Sequence, residues 1–550
     1  MKKLFFRAHP KSFPKGRTLY ILLLLFSLPF GKGWGWALAQ PTFVKDSLDK
    51  YVEREMKRWN VPGSAVAIVK DGKVVVMKGY GVRAIKVSSN EGDLGEAVDE
   101  NTLFQIASNT KAFTATSLAL LDVQKRIALD DKVTKWLPYF KLNDELASRE
   151  VTVKDLLCHR IGFQTFQSDL LNWNCNLSRK ELITNMRNVK PVYSFRSHYG
   201  YCNAAFLTAG EIIPAVTDTS WDDFLKYHFF IPLKMNHTST TYKTIIADNN
   251  ASKPYTIVDD KLVLLPYANV DNLGPAASIN SCVKDLANWL LMQLDSGKFE
   301  GKQVVPFEAL QMTRASNSIV SDMNPRMGSN FQMYGLGWFT LDYYGKKIIR
   351  HDGGADGFVT TTCFVPSLNL GIVVLTNTDA NAFYAALRTQ IIDAFMNLPY
   401  QNHSERIYKA VSANTKLDNA EINKMREVAA KKPKPAIKNE DYSGKYRNEV
   451  YGEIEITSSP NPSPKGEESL TVHFSHHPFL TGKLEPMGEN DFLCTYSVAT
   501  YGIKKINFVA SPSYPSPHGE GSKQPAQKVK SVIIRVNDFV DMMEYEFTKE

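Results

Sequence analysis

Cysteine is scarce in this sequence, and no metal-ligand pattern is present. The chain has six cysteines among 550 residues, and no two of them form a Cys-x-x-Cys pair. That number excludes a disulfide-stapled scaffold, and the 11 histidines form no cluster with zinc-ligand spacing. Walker-type and dinucleotide-binding glycine patterns are also missing. We therefore expect no cofactor and mostly buried free thiols, although an exported protein could also form a disulfide; the positions are Cys158, Cys175, Cys202, Cys282, Cys363 and Cys494.

Acidic residues are absent from the first 39 positions, which carry seven Lys and Arg residues. The whole chain has 65 basic and 57 acidic residues, a formal net charge of +8. Residues 40–550 contain 58 basic and 57 acidic residues, so this part of the chain is nearly neutral. This balance excludes a polyanionic partner such as nucleic acid as the reason for the charge, and it favours a small-molecule or peptide substrate.

Apolar runs long enough to span a membrane are missing too. Residues 19–30 are a 12-residue apolar run, whereas a spanning helix needs about 20 such residues. The run follows a basic start and precedes Ala37-Leu38-Ala39, the small residues that a signal peptidase reads. We predict a signal peptide at 1–39 and a periplasmic or secreted bacterial protein without a stable membrane span. The alternative is a short membrane anchor.

The order of apolar patterns predicts two domains. A helical face at 44–59, a β-hairpin around Asp71-Gly72 and a mostly helical stretch at 105–290 come first. Three β-like runs (346–350, 359–365 and 370–376) and a helix at 382–398 follow. This order predicts an α+β domain over 40–400: an antiparallel sheet flanked by helices, with a large helical insert.

The remaining 150 residues differ in character. Residues 401–440 are polar, weakly helical and end in KKPKPAIK, which predicts a linker. Short alternating strands over 441–550 predict an all-β, barrel-like domain. Two proline-rich segments, 458–467 and 511–520, interrupt it. We interpret them as loop insertions, the alternative being a proline-rich ligand for a partner protein.

Ser108 and Lys111 stand three residues apart at the start of an apolar helical pattern, so their side chains share one helix face. A lysine held neutral by its surroundings can deprotonate a serine hydroxyl for attack on a carbonyl group. Ser-x-x-Lys occurs four times, at Ser12, Ser47, Ser108 and Ser281, but only the third copy opens a buried-looking helix. The alternative is a helix cap with a solvated lysine.

Two further motifs carry suitable chemistry. Tyr201 and Asn203 form a Tyr-x-Asn pair, in which a phenol can relay protons and an amide can hold a substrate carbonyl. His351-Asp352-Gly353-Gly354 follows a β-like run, and such a glycine-rich edge lets backbone N–H groups approach an oxyanion. Taken alone, each motif also has a purely structural alternative. Tyr201 and Asn203 could be a core tyrosine and a turn asparagine, and the His351 motif could be a turn without a catalytic role.

In this order the three motifs resemble the serine beta-lactamase and penicillin-binding protein superfamily, whose pattern is Ser-x-x-Lys, Tyr-x-Asn and Lys/His-Thr-Gly. The sequence is most similar to the branch of class C beta-lactamase-like enzymes and D-alanyl-D-alanine carboxypeptidases. The similarity runs over about 43–398 and includes VPGSAVAIVKDGKVV, LFQIASNTKAFTA, YGYCNAAF and RHDGGADGF. The segment from Tyr442 resembles the small β-rich domain often appended to such hydrolases.

The resemblance implies a role for each motif residue. Ser108 would be the acyl-forming nucleophile, Lys111 its base and Tyr201 a general acid and base. Asn203, His351 and Gly353 would line the substrate site, and the N–H groups of Ser108 and Gly354 would form the oxyanion hole.

The implied reaction is hydrolysis of an amide or ester bond in a D-amino-acid peptide, an ester or a β-lactam. The rival hypothesis is a catalytically silent protein that binds cell-wall or protein ligands in the same cleft. Asp352 replaces the usual threonine; pointing inward, its carboxylate would disfavour substrates with a free carboxylate.

Overall fold

The structure, a computed structural model, describes residues 40–85, 95–323, 328–458, 470–511 and 528–550. The predicted signal peptide lies outside the described residues, as do the proline-rich segments except for their first residues, Ser458 and Ser511. Residues 41–550 form one compact unit. Within the described part of the chain, no helix has both the length and the apolar character needed to cross a bilayer.

A β-hairpin near the start of the chain confirms the turn prediction. Strands β1 (Gly63–Lys70) and β2 (Lys73–Ala84) are antiparallel and are joined by Asp71 and Gly72. Both turn residues have positive φ angles, 50° and 73°. A two-residue hairpin turn of this hand matches the twist of its strands, which explains the Asp-Gly pair.

The hairpin belongs to a nine-stranded antiparallel sheet that includes all three predicted later strands. Its order is β4-β5-β6-β7-β8-β9-β1-β2-β3, so the hairpin joins strands from the far end of the domain. The added strands are β3 (Glu96–Ala97), β4 (Ser318–Asp322), β5 (Phe331–Tyr334), β6 (Phe339–Tyr343), β7 (Lys346–Ala355), β8 (Phe358–Val365) and β9 (Leu370–Thr376). Strand β7 is five residues longer than predicted and contains the His351 motif.

The helices of twelve or more residues in the described ranges are α1 (Leu48–Trp59), α2 (Thr110–Val123), α3 (Asn203–Thr217), α4 (Val283–Leu294), α5 (Phe383–Phe395) and α6 (His403–Ala430). Shorter α-helices span Val133–Trp136, Glu145–Glu150, Val153–Leu157, Asp169–Asn172, Arg179–Asn185, Trp221–Leu225, Tyr242–Ala247, Gly274–Ala277, Phe307–Arg314 and Asn439–Tyr442. Two-residue and four-residue strand pairs join Phe104–Gln105 to Asn280–Ser281, Tyr255–Val258 to Lys261–Leu264, and Lys298–Phe299 to Lys302–Gln303.

Successive side chains along a strand point to opposite faces of the sheet, so a separate part of the hydrophobic core lies on each face. On β1, Ala65 and Ala67 belong to the core shared with the helical insert, whereas Val66 and Ile68 pack with α1 and α5. A strand buried on both faces is expected to be a continuous apolar run, as residues 65–69 of β1 are. The α+β prediction with flanking helices and a large helical insert is therefore confirmed.

The last hundred residues close into an eight-stranded antiparallel barrel, in which the first strand pairs with the last. The strands are β10 (Gly444–Asn448), β11 (Gly452–Ser458), β12 (Leu470–Phe474), β13 (His477–Gly488), β14 (Asp491–Tyr496), β15 (Ile503–Ala510), β16 (Val529–Ile534) and β17 (Tyr545–Lys549). This bears out the predicted all-β domain. Within the predicted linker, 28 residues form the single helix α6, whose first turn is capped by Asn402.

Candidate active site

Ser108 lies in a short 3₁₀ turn, Ala107–Asn109, that leads directly into α2. Ala107 has a φ of 45°, a left-handed conformation that costs a non-glycine residue about 1 kcal/mol or more. This kink sets the serine at the N-terminus of a buried helix, where the helix dipole favours negative charge. Ser108 is half-buried and lines a cleft of about 390 Å³.

Lys111 is fully buried one helical turn later. Its Nζ lies 3.1 Å from Ser108 Oγ, 2.7 Å from Asn203 Oδ1 and 2.9 Å from the carbonyl oxygen of Ala276. Burial lowers the pKa of this amine to about 7, although the nearby carboxyl of Asp169 opposes the shift. A substantial fraction of Lys111 is therefore uncharged at neutral pH and can accept a proton.

Tyr201 completes the immediate surroundings of the serine. Its hydroxyl is hydrogen-bonded with Ser108, and Lys111 Nζ lies 4.6 Å from the centre of its ring. Burial raises the pKa of the phenol well above its usual range, so the hydroxyl keeps its proton at neutral pH. In this state Tyr201 is a proton donor.

Asn203 connects the lysine to a buried carboxyl group that the sequence did not reveal. Its Oδ1 accepts from Lys111, and its Nδ2 donates to Asp169 Oδ2 over 2.6 Å. Burial, together with the charge of Asp541, raises the pKa of Asp169 to about 7. Lys111, Asn203 and Asp169 therefore form one coupled unit in which the two end groups titrate in the same range.

His351 faces the cleft from strand β7 and is held as a neutral ring. Its Nδ1 lies 2.7 Å from the backbone oxygen of Asp352, so this nitrogen is the donor. Its Nε2, 2.9 Å from the hydroxyl of Tyr334, is then the acceptor. Burial and the charge of Lys111 lower the pKa of His351 to about 3, which leaves it uncharged at neutral pH.

Gly353 and Gly354 lie on an edge of β7 that is open toward the cleft. Strand β6 pairs only with residues 346–350 of β7, whereas β8 pairs with 349–355. A Cβ atom on Gly353 would approach the Ile106 carbonyl oxygen to 2.1 Å, so only glycine allows the strand to lie this close to the serine turn. Backbone groups of residues 351–355 are thus available to an extended substrate.

The Asp352 side chain packs toward α5, and the residue also lines the cleft. Its carboxylate pairs with Arg350 and with Arg388 Nη1, the latter at 2.5 Å, and accepts from the Thr361 hydroxyl at 2.6 Å. Burial would raise its pKa, but the two arginines and Thr361 hold it at about 2. Because two guanidinium groups compensate this charge, it supplies no net repulsion toward a substrate carboxylate.

We expect Asp352→Asn to lower the free energy of unfolding at pH 7 by about 2 kcal/mol, because the buried Arg388 and the partly buried Arg350 lose their counter-ion. The contribution of the Asp352 ion pairs to the free energy of unfolding is complete above pH 4. It is lost as the pH falls toward 2, since the pKa of Asp352 is lower in the folded state than in the unfolded state. Urea unfolding measures the change. The exposed pair between Asp130 and Lys154 supplies the control, Asp130→Asn, with an expected loss below about 0.5 kcal/mol. Equal losses in both variants would contradict the prediction.

Six of the seven predicted site residues line one cleft, Lys111 is buried next to Ser108, and the structure adds further residues. His159 accepts the backbone N–H of Cys202 at Nδ1 over 3.0 Å, and its ring centre lies 4.4 Å from that of Tyr201. Phe539 and Val540, from the barrel, line the same cleft. His159 stands in a segment similar to the family, but Asp169 and Phe539 had no sequence signal. All six cysteines are free, and five are buried.

Comparisons with known proteins agree with this architecture. The sequence model of the Beta-lactamase family matches residues 48–395. Protein flp of Staphylococcus aureus (strain MW2) is 27% identical over 64% of this chain and 67% of its own length. The unguisins hydrolase ungD of Aspergillus violaceofuscus is 25% identical over 74% of this chain and 76% of its own length.

A solved structure extends the similarity to the barrel. The octameric penicillin-binding protein homologue from Pyrococcus abyssi aligns with 91% of this chain and 99% of its own, at a TM-score of 0.55 and 20% identity. At this identity the likeness concerns the fold. The family match covers well over half of the sequence, so this chain belongs to the Beta-lactamase family of serine hydrolases and penicillin-binding proteins.

Proposed function

We propose that the protein is a serine hydrolase that cleaves amide or ester bonds through an acyl-enzyme on Ser108. The observation that carries this proposal is the 3.1 Å contact between Ser108 Oγ and the buried amine of Lys111, whose pKa is lowered to about 7 by burial. Family membership and the similarity to the unguisins hydrolase ungD support it.

In the acylation step, neutral Lys111 takes the proton of Ser108 while Oγ attacks the substrate carbonyl carbon. The carbonyl oxygen becomes an oxyanion that accepts from the backbone N–H groups of Ser108 and Gly354. Tyr201, which keeps its proton, donates it to the leaving nitrogen or oxygen as the carbon–heteroatom bond breaks. The proton on Lys111 then restores the Tyr201 hydroxyl.

Deacylation repeats these transfers with water in place of the serine. Water loses a proton to the Lys111–Tyr201 pair as its oxygen attacks the ester carbon, and Ser108 Oγ leaves with a proton. The amide of Asn203 positions the substrate, and its Oδ1 keeps Lys111 in place. The neutral ring of His351 closes the wall of the cleft opposite the serine.

The open edge of β7 suits a peptide-like substrate in extended form, and aromatic side chains in the cleft suit an apolar substituent. We therefore favour a peptidase or esterase acting on D-amino-acid peptides or related acyl compounds. A true β-lactamase is less favoured, because it needs fast deacylation and no residue dedicated to that step is identified.

A labelling experiment distinguishes the proposed hydrolase from the alternative, a catalytically silent binding protein. The mature protein is incubated with a fluorophosphonate probe and with labelled penicillin, followed by intact-mass and peptide-mass analysis. We expect a single adduct, located on Ser108, with at least one reagent. The absence of an adduct with both reagents would favour the silent binding protein.

Export remains part of the proposal and rests on residues 1–39. We expect cleavage after Ala39 when the full chain is expressed in a bacterial host with a secretion system. N-terminal sequencing of the recovered protein should then begin at Gln40; an intact Met1 in an exported protein would contradict the proposed signal peptide.

A further inference from the structure

The barrel contributes a wall to the cleft that contains Ser108. Phe539 and Val540 lie in the segment between strands β16 and β17, and both line this cleft. A Cβ atom built on Gly354 would lie 3.1 Å from Cε2 and Cζ of the Phe539 ring. The ring therefore packs against the backbone of the strand that carries the proposed oxyanion donor, and 41% of Phe539 is still exposed.

Asp541 fixes this segment to the hydrolase domain. Its Oδ2 accepts the backbone N–H of Leu170 over 2.9 Å and the hydroxyl of Tyr545 over 2.5 Å. The Tyr545 oxygen in turn accepts the backbone N–H of Ser168 over 3.1 Å. These bonds join the barrel to the short helix that carries Asp169, the partner of Asn203, so the wall has a fixed position relative to the site.

A second contact supports the same part of the cleft. His477 of the barrel donates from Nε2 to the backbone oxygen of Trp173 over 2.8 Å, while its Nδ1 lies 2.7 Å from the Tyr451 hydroxyl. Trp173 lines the cleft, and its Nε1 donates to Asp356, the residue after strand β7, over 3.0 Å. Barrel residues thus hold both Trp173 and Phe539, which line the cleft.

We propose that Phe539 is a specificity-determining residue of the Ser108 site and limits the size of the substrate group that extends over Gly354. This inference rests on the proposed hydrolase function, since it assigns a selectivity to that reaction. Replacing the ring by a methyl group enlarges the cleft next to the reacting carbonyl. Each methylene group accommodated in an apolar pocket changes kcat/KM by about 10-fold or more.

The test uses p-nitrophenyl acetate, butyrate and octanoate with the full mature protein. For Phe539→Ala we expect the ratio of kcat/KM for octanoate to that for acetate to rise about 10-fold or more. For Phe539→Trp we expect the ratio to fall, a reversal that a loss of structure would not produce. Phe479→Ala is the matched control, because Phe479 lies in the same barrel with 42% exposure and does not line the cleft.

Labelling with ethyl and decyl fluorophosphonates separates this proposal from the proposed function. If Ser108 is labelled but all variants keep the wild-type chain-length preference, the role of Phe539 is overturned while the hydrolase function stands. If no protein is labelled and no ester is hydrolysed, the hydrolase function is overturned, and the selectivity assigned to it falls as well.

Discussion

Ser108→Ala is expected to lower kcat for hydrolysis of any substrate of this protein by at least about 10⁴-fold. The variant removes the only atom that forms the covalent intermediate in the proposed mechanism, and alanine fits the half-buried position without a clash. The structure offers a direct reason to expect an intact fold, because the hydroxyl of Ser108 contacts Lys111 and Tyr201 but carries no backbone hydrogen bond of the serine turn.

Steady-state hydrolysis of p-nitrophenyl butyrate, with circular dichroism to verify folding, measures this loss. Ser47→Ala is the matched control, since Ser47 and Lys50 repeat the Ser-x-x-Lys spacing on an exposed part of the chain. The control should retain wild-type activity. Activity of a folded Ser108→Ala variant above about one per cent of wild type would disprove the nucleophile assignment.

Lys111→Met is expected to lower kcat by about 10³-fold, within the range for removal of a general base. Methionine has a similar length and suits the buried environment, but it cannot accept the serine proton. Lys50→Met, at the exposed copy of the motif, is the control and should behave as wild type. A Lys111→Met variant with wild-type kcat would contradict the role of Lys111.

The same amine sets the expected pH dependence of the wild-type enzyme. Burial lowers the pKa of Lys111 to about 7, and only the uncharged form can act as the base, so kcat/KM should rise with pH through a midpoint near 7. That midpoint belongs to the coupled Lys111–Asn203–Asp169 unit. A rate that is constant from pH 5 to pH 9, or one that falls as the pH rises through 7, would contradict the prediction.

Much of the candidate site could be predicted because its chemistry lies in short stretches of sequence. Ser108 and Lys111 are one helical turn apart, Tyr201 and Asn203 are separated by one residue, and His351 immediately precedes its glycine-rich edge. The spacing within each motif therefore fixes local geometry. The spatial meeting of the three motifs followed from their ordered resemblance to a family, not from their spacing.

Asp169 and Phe539 could not be predicted because tertiary packing alone places them. Asp169 lies 34 residues before its partner Asn203 on a four-residue helix. Phe539 reaches the cleft from a separate domain, and an exposed phenylalanine in a loop has no distinguishing pattern. The orientation of Asp352 was similarly open, because a strand residue can face either side until its register is known.

The contacts of Asp541 also make the cleft depend on two distant parts of the sequence. Ser108 lies near the first fifth of the sequence, whereas one wall of the cleft comes from Phe539, far along the same sequence. A chain truncated before Asn537 retains Ser108 but lacks the Phe539 wall of the cleft. In the proposed mechanism, selective turnover of substrate therefore requires the folded barrel.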